Sequence, residues 1–329
     1  EYIDPKTGVT KMSNVRGEIM GLGRIAEYCR NDNIVDKNDI SIINFDQKSY
    51  YRDENGIIYP IDFENFNFRV SMQTEKHLNY NSGMVRSLRD SWKDLKKTFR
   101  LISRTTLRSD SYPVKIDLSI VKSSKKIGRS FVPEYKFRDS GVLESPEQYE
   151  IEIELDSDKI GNYPGTAYAT VESLGISLRK VIKLILSGMQ STNYPVSYPE
   201  QDRIKNEYMK ILWGKNEEKT RITTRNFVGP SSFTLQISNI APKNDDAIIP
   251  NIRENYTVTD KADGDRKLLF ISQNGRIYLI DTNMNIQFSG AKTINKDVFN
   301  TIIDGEHILR DKTGKFINLY AAFDIYYIN

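Results

Sequence analysis

Tyr149-Glu150-Ile151-Glu152-Ile153-Glu154-Leu155 alternates acidic and aliphatic residues without a break. Successive side chains on a strand point to opposite faces, so the three carboxylates share one face and the aliphatics the other. At ~3.3 Å per residue, Glu150 and Glu154 lie roughly 13 Å apart along it. Three like charges in a row repel. They suit either a solvated edge or a surface facing opposite charge. On the second reading the stretch is the acidic floor of a closed antiparallel barrel, whose basic walls would hold a divalent cation and a polyphosphate together.

Basic strands are present to build such walls. From Phe99 to Arg108 the pattern is extended, with Arg100, Ile102, Arg104, Thr106 and Arg108 on one face. Val114 to Ile120 puts Lys115 and Asp117 on one side and aliphatic residues on the other. A further strand, Phe66 to Ser71, carries Arg69. The helix-like stretch from Arg86 to Lys97 reads as a solvated charged face. Net charge is only +3, so affinity for nucleic acid has to come from this local concentration of cations.

These strands resemble the triphosphate tunnel metalloenzymes, the metal-dependent RNA 5′-triphosphatases of fungal, protozoal and large-DNA-virus capping systems. The resemblance implies Mg²⁺ or Mn²⁺ on Glu150, Glu152 and Glu154. It gives Glu152, Glu154, Arg100 and Arg104 the catalytic roles, with Arg69, Lys115 and Asp117 binding substrate. Two departures stand out. The family's basic strand reads Arg-x-Lys-x-Arg, whereas Ile102 holds the middle position here, so Lys96 or Arg108 would have to substitute. The family also has a second glutamate strand near its N-terminus, and no Glu-x-Glu strand precedes residue 60. The sequence opens on Glu1-Tyr2-Ile3-Asp4-Pro5 without an initiator Met, so that strand is expected just upstream.

A second motif lies near the other end. Lys261-Ala262-Asp263-Gly264-Asp265-Arg266 sits between two extended runs, Tyr256 to Thr259 and Lys267 to Ile271. A lysine on a strand edge followed by Asp-Gly and an arginine provides what covalent nucleotidyl transfer requires. The amine attacks an α-phosphorus, the glycine admits the nucleotide close to the backbone, and the arginine neutralises phosphate or grips ribose. The same residues also suit an ordinary charged hairpin turn. Downstream, Ile302 to Ile308 carries Asp304-Gly305-Glu306, and Ala322 to Tyr327 sets Phe323 beside Asp324.

In order and spacing these segments resemble motifs I, III and IIIa of the superfamily of mRNA guanylyltransferases and ATP-dependent polynucleotide ligases. The resemblance implies that Lys261 forms the lysyl–nucleotide bond and that Arg266 and Glu306 contact the nucleotide sugar. It places Asp263 at the nucleotide and Phe323 near the base. Asn226-Phe227-Val228-Gly229-Pro230, with Phe233-Thr234-Leu235, resembles the lead-in to the guanylyltransferase domain of large-virus capping enzymes. The family's later motifs and its oligonucleotide-binding-fold domain are expected beyond Asn329.

The expected class is therefore α+β: an antiparallel β-tunnel domain with flanking helices, then the N-terminal part of a nucleotidyltransferase domain. Helical patterns over Val171 to Met189 and Glu200 to Trp213 connect them, the second stopped by Gly214. The polar stretch 216–219 marks the boundary, giving domains 1–215 and 216–329. A tunnel followed by a guanylyltransferase is the layout of capping enzymes of giant and other large cytoplasmic DNA viruses. That layout implies triphosphate-ended RNA and GTP as substrates, with a downstream methyltransferase domain or subunit as a partner it accommodates. It also implies the host cytoplasm, at the viral factory, or the virion. The alternatives are an ATP-dependent ligase or RNA-repair enzyme, and a non-catalytic RNA-end-binding scaffold.

Composition fits an intracellular protein with no membrane partner. Of 329 residues, 38% are hydrophobic and 28% charged, and no apolar run approaches membrane-spanning length. Cys29 is the only cysteine, so no intrachain disulfide can form, and His77 and His307 are the only histidines. A bound metal would take oxygen ligands, which favours Mg²⁺ or Mn²⁺.

Overall fold

The computed structural model describes residues 2–3, 10–34, 43–161, 170–214, 221–242, 249–258 and 260–328. The chain divides into two compact units, Glu1–Leu178 and Arg179–Asn329. The polar stretch at 216–219 lies outside the described residues.

The first unit contains β1 (Val15–Ile19), α1 (Leu22–Asn31), β2 (Ile43–Tyr50), β3 (Gln73–Leu78), α2 (Gly83–Asp90), β4 (Arg100–Arg108), β5 (Val114–Ser123) and β6 (Gln148–Leu155). They form two three-stranded antiparallel sheets, in the orders β1-β2-β3 and β4-β5-β6. The core gathers Tyr28 of α1, Ile43 and Phe45 of β2, Leu78 of β3 and Val85 of α2. Phe99 and Leu101, at the start of β4, pack against the same cluster. Among the described strands β4 and β6 are sheet edges, so the ladder does not close into a barrel.

Helix α2 ends at Asp90, short of the Lys97 limit read from the sequence. The chain tightens into a 3₁₀ turn at Trp92–Asp94. There the Lys97 amine donates to the carbonyls of Trp92 and Leu95, taking up acceptors that a continuing helix would need. The segment expected to be a strand over Phe66 to Ser71 is a 3₁₀ turn, Glu64–Phe66, and a three-residue strand, Phe68–Val70. It forms a small antiparallel ribbon with Ile61–Phe63.

Helix α3 (Val171–Gln190) spans the division between the units. The second unit then holds α4 (Tyr198–Trp213), β7 (Asp265–Ile271), β8 (Arg276–Asp281), β9 (Ile286–Lys292), β10 (Thr301–Arg310) and β11 (Phe316–Tyr327). The five strands form one antiparallel sheet in the order β9-β8-β7-β10-β11. Ser197 caps α4 by accepting from the Glu200 amide, Pro199 lies in the first turn, and Gly214 ends it at φ +85°.

Ile204, Tyr208 and Met209 recur at helical spacing on α4 and are buried against Leu268, Phe270, Tyr278, Ile280 and Ile302 of the sheet. Glu200 fastens the start of α4 to β8, accepting from the Tyr278 hydroxyl at 2.6 Å and from Arg276 at 2.5 Å. No helix among the described residues is long and apolar enough to cross a membrane.

The buried Tyr208 hydroxyl donates to the Asn226 carbonyl at 2.8 Å and accepts from the Val228 amide at 2.8 Å. It thereby fixes the loop before Gly229 to the helix. Tyr208→Phe should lower stability by about 1–3 kcal/mol, because both backbone groups lose their partner. Urea denaturation reads this directly, and an unchanged midpoint would remove the tether from the account.

Candidate functional site

One face of the β4-β5-β6 sheet carries seven of the residues expected to handle polyphosphate. Register sets Arg104 beside Ser119 and Glu150, Thr106 beside Asp117 and Glu152, and Arg108 beside Lys115 and Glu154. The isoleucines of β6 and Ile116, Leu118 and Ile120 of β5 occupy the opposite face. The alternation in the sequence thus segregates charge from hydrocarbon, except where Ile102 of β4 and Val121 of β5 meet on the charged face.

The charged face is tightly paired. Arg100 holds both oxygens of Glu150, at 2.9 and 2.7 Å. Arg104 reaches Glu152 and Asp117 at 3.4 Å each and Ser119 at 3.3 Å. Asp117 is mostly buried and also accepts from the Thr106 hydroxyl at 2.5 Å. Buried Asp156, just past β6, lies 3.4 Å from Arg108 and 3.8 Å from Lys115. The sequence reading missed Asp156, although it continues the alternate acidic positions by one more step.

The donors are all oxygen, as Mg²⁺ or Mn²⁺ prefers. Their present geometry is not a metal cage, since Glu150 and Glu152 are turned onto arginines. Among the described residues no group of three or more His, Cys, Asp or Glu side chains is placed to hold a metal ion.

Arg69 does not join this face. It lies on the ribbon strand Phe68–Val70, and its guanidinium is taken by Asp62 across the ribbon, at 2.6 and 2.9 Å. The first sheet contributes a polar face that the sequence reading also missed. Arg16 of β1, Asp46 of β2 and His77 of β3 are in register, with Asp46 bound to His77 at 2.9 Å. Glu18 of β1 lies on that side too. A single glutamate beside Gly17 leaves too short an alternation to read as a strand.

In the second unit, Lys261 is exposed and lies in the loop before β7, not on a strand edge. Tyr256 to Val258 is likewise irregular, and Thr259 lies outside the described residues. Gly264 supplies the close approach instead. A Cβ there would sit 2.6 Å from the His307 carbonyl oxygen and 3.0 Å from Glu306 Cγ. The lysine loop is therefore laid against the strand that bears Glu306, and Glu306 is the cross-strand partner of Arg266. Asp263 is exposed in the same loop, and Phe323 is exposed on edge strand β11.

Arg266 is anchored firmly. Its Nε donates to Asp304 at 3.1 Å and its Nη2 to the other carboxylate oxygen at 2.5 Å. Nη1 donates to the Pro230 carbonyl at 2.5 Å. The Tyr326 hydroxyl donates to Asp304 at 2.6 Å, and burial followed by the carboxylate pushes its pKa up to about 12. The bond to Asp304 raises the Arg266 pKa further.

Lys267, on the opposite face of β7, is buried and donates to Gln287 at 2.9 Å and to His307 Nδ1 at 3.2 Å. The other His307 nitrogen, Nε2, meets Asn318 at 2.9 Å.

The family-model match bears on this second unit. Residues 246–329 match the family model of the mRNA capping enzyme catalytic domain. A probable mRNA-capping enzyme of Acanthamoeba polyphaga mimivirus is 31% identical over 211 residues, covering 64% of this chain. The match spans 14% of the viral protein's length. No solved structure matches the chain.

Burial pushes Lys267 below the usual lysine range, against the pull of Asp265 and Asp281. The folded protein therefore releases this proton at lower pH than the unfolded chain. Stability from this group rises with pH, from the lowered value up to the unfolded lysine value near 10.4. The stability difference between wild type and Lys267→Met should grow across that window when denaturation midpoints are compared. A constant difference would contradict the buried-charge assignment.

Proposed function

We propose that this chain is part of a viral mRNA capping enzyme that removes the γ-phosphate from triphosphate-ended RNA and transfers GMP to the resulting diphosphate end. The observation that carries the reading is the Gly264 contact, which sets the Lys261 loop against the Glu306 strand inside residues 246–329, the region matching the capping catalytic domain. The curated viral relative supports the same reading.

In the transferase half, Lys261 Nζ attacks the α-phosphorus of GTP. A P–N bond forms, the bond to the β-phosphate bridging oxygen breaks, pyrophosphate leaves and the amine proton goes to solvent. An oxygen of the diphosphate RNA end then attacks the same phosphorus, releasing Lys261. Arg266 and Glu306 hold the sugar, Asp263 lies beside the nucleotide, and Phe323 offers its exposed ring to the base.

In the other half, Arg100, Arg104 and Lys115 neutralise the polyphosphate, and water attacks the γ-phosphorus in line. Glu150, Glu152 and Glu154 offer a divalent cation its oxygen ligands, and bound Mg²⁺ or Mn²⁺ would supply further charge neutralisation there. Asp117 orients Arg104, and Arg69 would bind RNA once released from Asp62. Domains at 1–215 and 216–329 would divide the two reactions. A downstream methyltransferase and a site of action in the host cytoplasm or virion complete the proposal.

A second reading, a non-catalytic RNA-end-binding scaffold, is favoured by the saturation of Arg100 and Arg104 on Glu150 and Glu152. One pair of variants separates the two. Lys261→Ala should abolish the covalent adduct with GTP and leave phosphate release intact. The double variant Glu152→Gln, Glu154→Gln should lower phosphate release by about 10²-fold or more while leaving the adduct. An adduct on the Lys261→Ala protein would reject the nucleophile. Unchanged phosphate release in the double variant would favour the scaffold.

A further inference from the structure

The chain between β5 and β6 carries charge that neither proposed reaction uses. From Lys122 to Asp139 six basic side chains stand against two acids, a net +4 in a chain whose whole net charge is +3. On the charged face of β4-β5-β6 the arginines are held by carboxylates. Here only Lys125 is so held, by Glu134 at 3.1 Å. Lys126, Arg129, Lys136 and Arg138 are exposed, and none of the four lies within ion-pair distance of a carboxylate among the described residues. These cations are left for a partner to neutralise.

The backbone that bears them is well held. Lys126–Ile127 pairs with Ser130–Phe131 around a two-residue turn, which Gly128 makes at φ +60°. The Val132 amide extends the ribbon by donating to the Lys125 carbonyl at 2.9 Å. Lys97 and Glu134 then exchange backbone hydrogen bonds at 2.8 and 2.9 Å, and Phe137 is buried in the core of this unit. That pairing sets a cation against each of two rings. The Lys126 ammonium lies 4.5 Å from the centre of the Phe131 ring, and that of Lys96 lies 5.5 Å from the Tyr135 ring. Both rings reach solvent, Phe131 with 37% of its surface exposed and Tyr135 with 48%.

We propose that the segment from Lys125 to Arg138 is a binding surface for single-stranded RNA, in which Phe131 and Tyr135 stack on bases while Lys126, Arg129 and Lys136 meet phosphates. An exposed ring beside an ammonium offers one flat apolar face and one charge, matching a base and its phosphate. Unpaired bases have free faces to stack on such rings, whereas a duplex keeps its faces in its own stack. The surface goes beyond the two reactions and requires neither of them.

The test is fluorescence anisotropy of a short, labelled, unstructured RNA with a 5′-hydroxyl end, titrated with the full-length protein at several salt concentrations. That end has no phosphate to remove or to cap, so the readout is independent of both reactions. Wild type should bind the single strand more tightly than a duplex of the same length. Phe131→Leu with Tyr135→Leu, which keeps apolar bulk without a ring, should weaken single-strand binding by about tenfold or more and leave its salt dependence unchanged. Phe131→Trp with Tyr135→Trp should retain wild-type affinity. Lys126→Gln, Arg129→Gln and Lys136→Gln together should flatten the slope of log K against log salt by about 2, at roughly 0.7 for each lost phosphate contact. The inference is overturned if the leucine pair binds RNA as wild type does, or loses heparin, which has no bases, to the same extent as RNA. A slope left unchanged by the triple variant overturns it equally.

Discussion

A fully buried carboxylate must be paired, and the second unit is organised around that constraint at Asp304. Leaving such a charge without its partner costs about 3–5 kcal/mol, so whatever pairs with it is fixed as rigidly as the core. Arg266 supplies the charge, Tyr326 a hydroxyl, and the Gly229 loop fits only because it carries no side chain. Strands β7, β10 and β11 and the loop after α4 are thereby tied at one point. The Lys261 loop is laid beside that point by Gly264, so the exposed Lys261 is next to a rigid frame although it is itself on a loop.

The first unit solves the opposite problem. Its carboxylates are many and lie on one sheet face, so repulsion has to be relieved across strands. Arg100, Arg104, Arg108 and Lys115 do this, each reaching an acid on β6 or just past its end. The arrangement leaves the face close to neutral. Both units thus use buried or half-buried ion pairs to fix the positions of their cations.

Much of this was legible in the sequence where a period of two persisted. The run Tyr149 to Leu155 fixed both the strand and the sides of its residues, and the parity of Arg100, Arg104 and Arg108 put them on the same face. Short or broken alternations were not legible: β1 holds one glutamate beside a glycine, and its polar face emerges only from pairing with β2. Arg69 shows that side-chain type and strand parity do not choose a partner, since Asp62 lies nearer across a tight ribbon. The strand edge expected to hold Lys261 is a loop, which passes tightly against Glu306 and His307 at Gly264, where there is no side chain. The Asp304–Arg266 pair depends on the register of strands 38 residues apart, which local pattern does not encode.

The most direct measurement is the intact mass of the full-length protein after incubation with Mg²⁺ and either GTP or ATP, followed by mapping of any adduct. The account predicts a mass increase of one guanylate, on Lys261, with GTP only. An adenylate on Lys261 would contradict the capping assignment in favour of a ligase, and a guanylate on another residue would contradict the site.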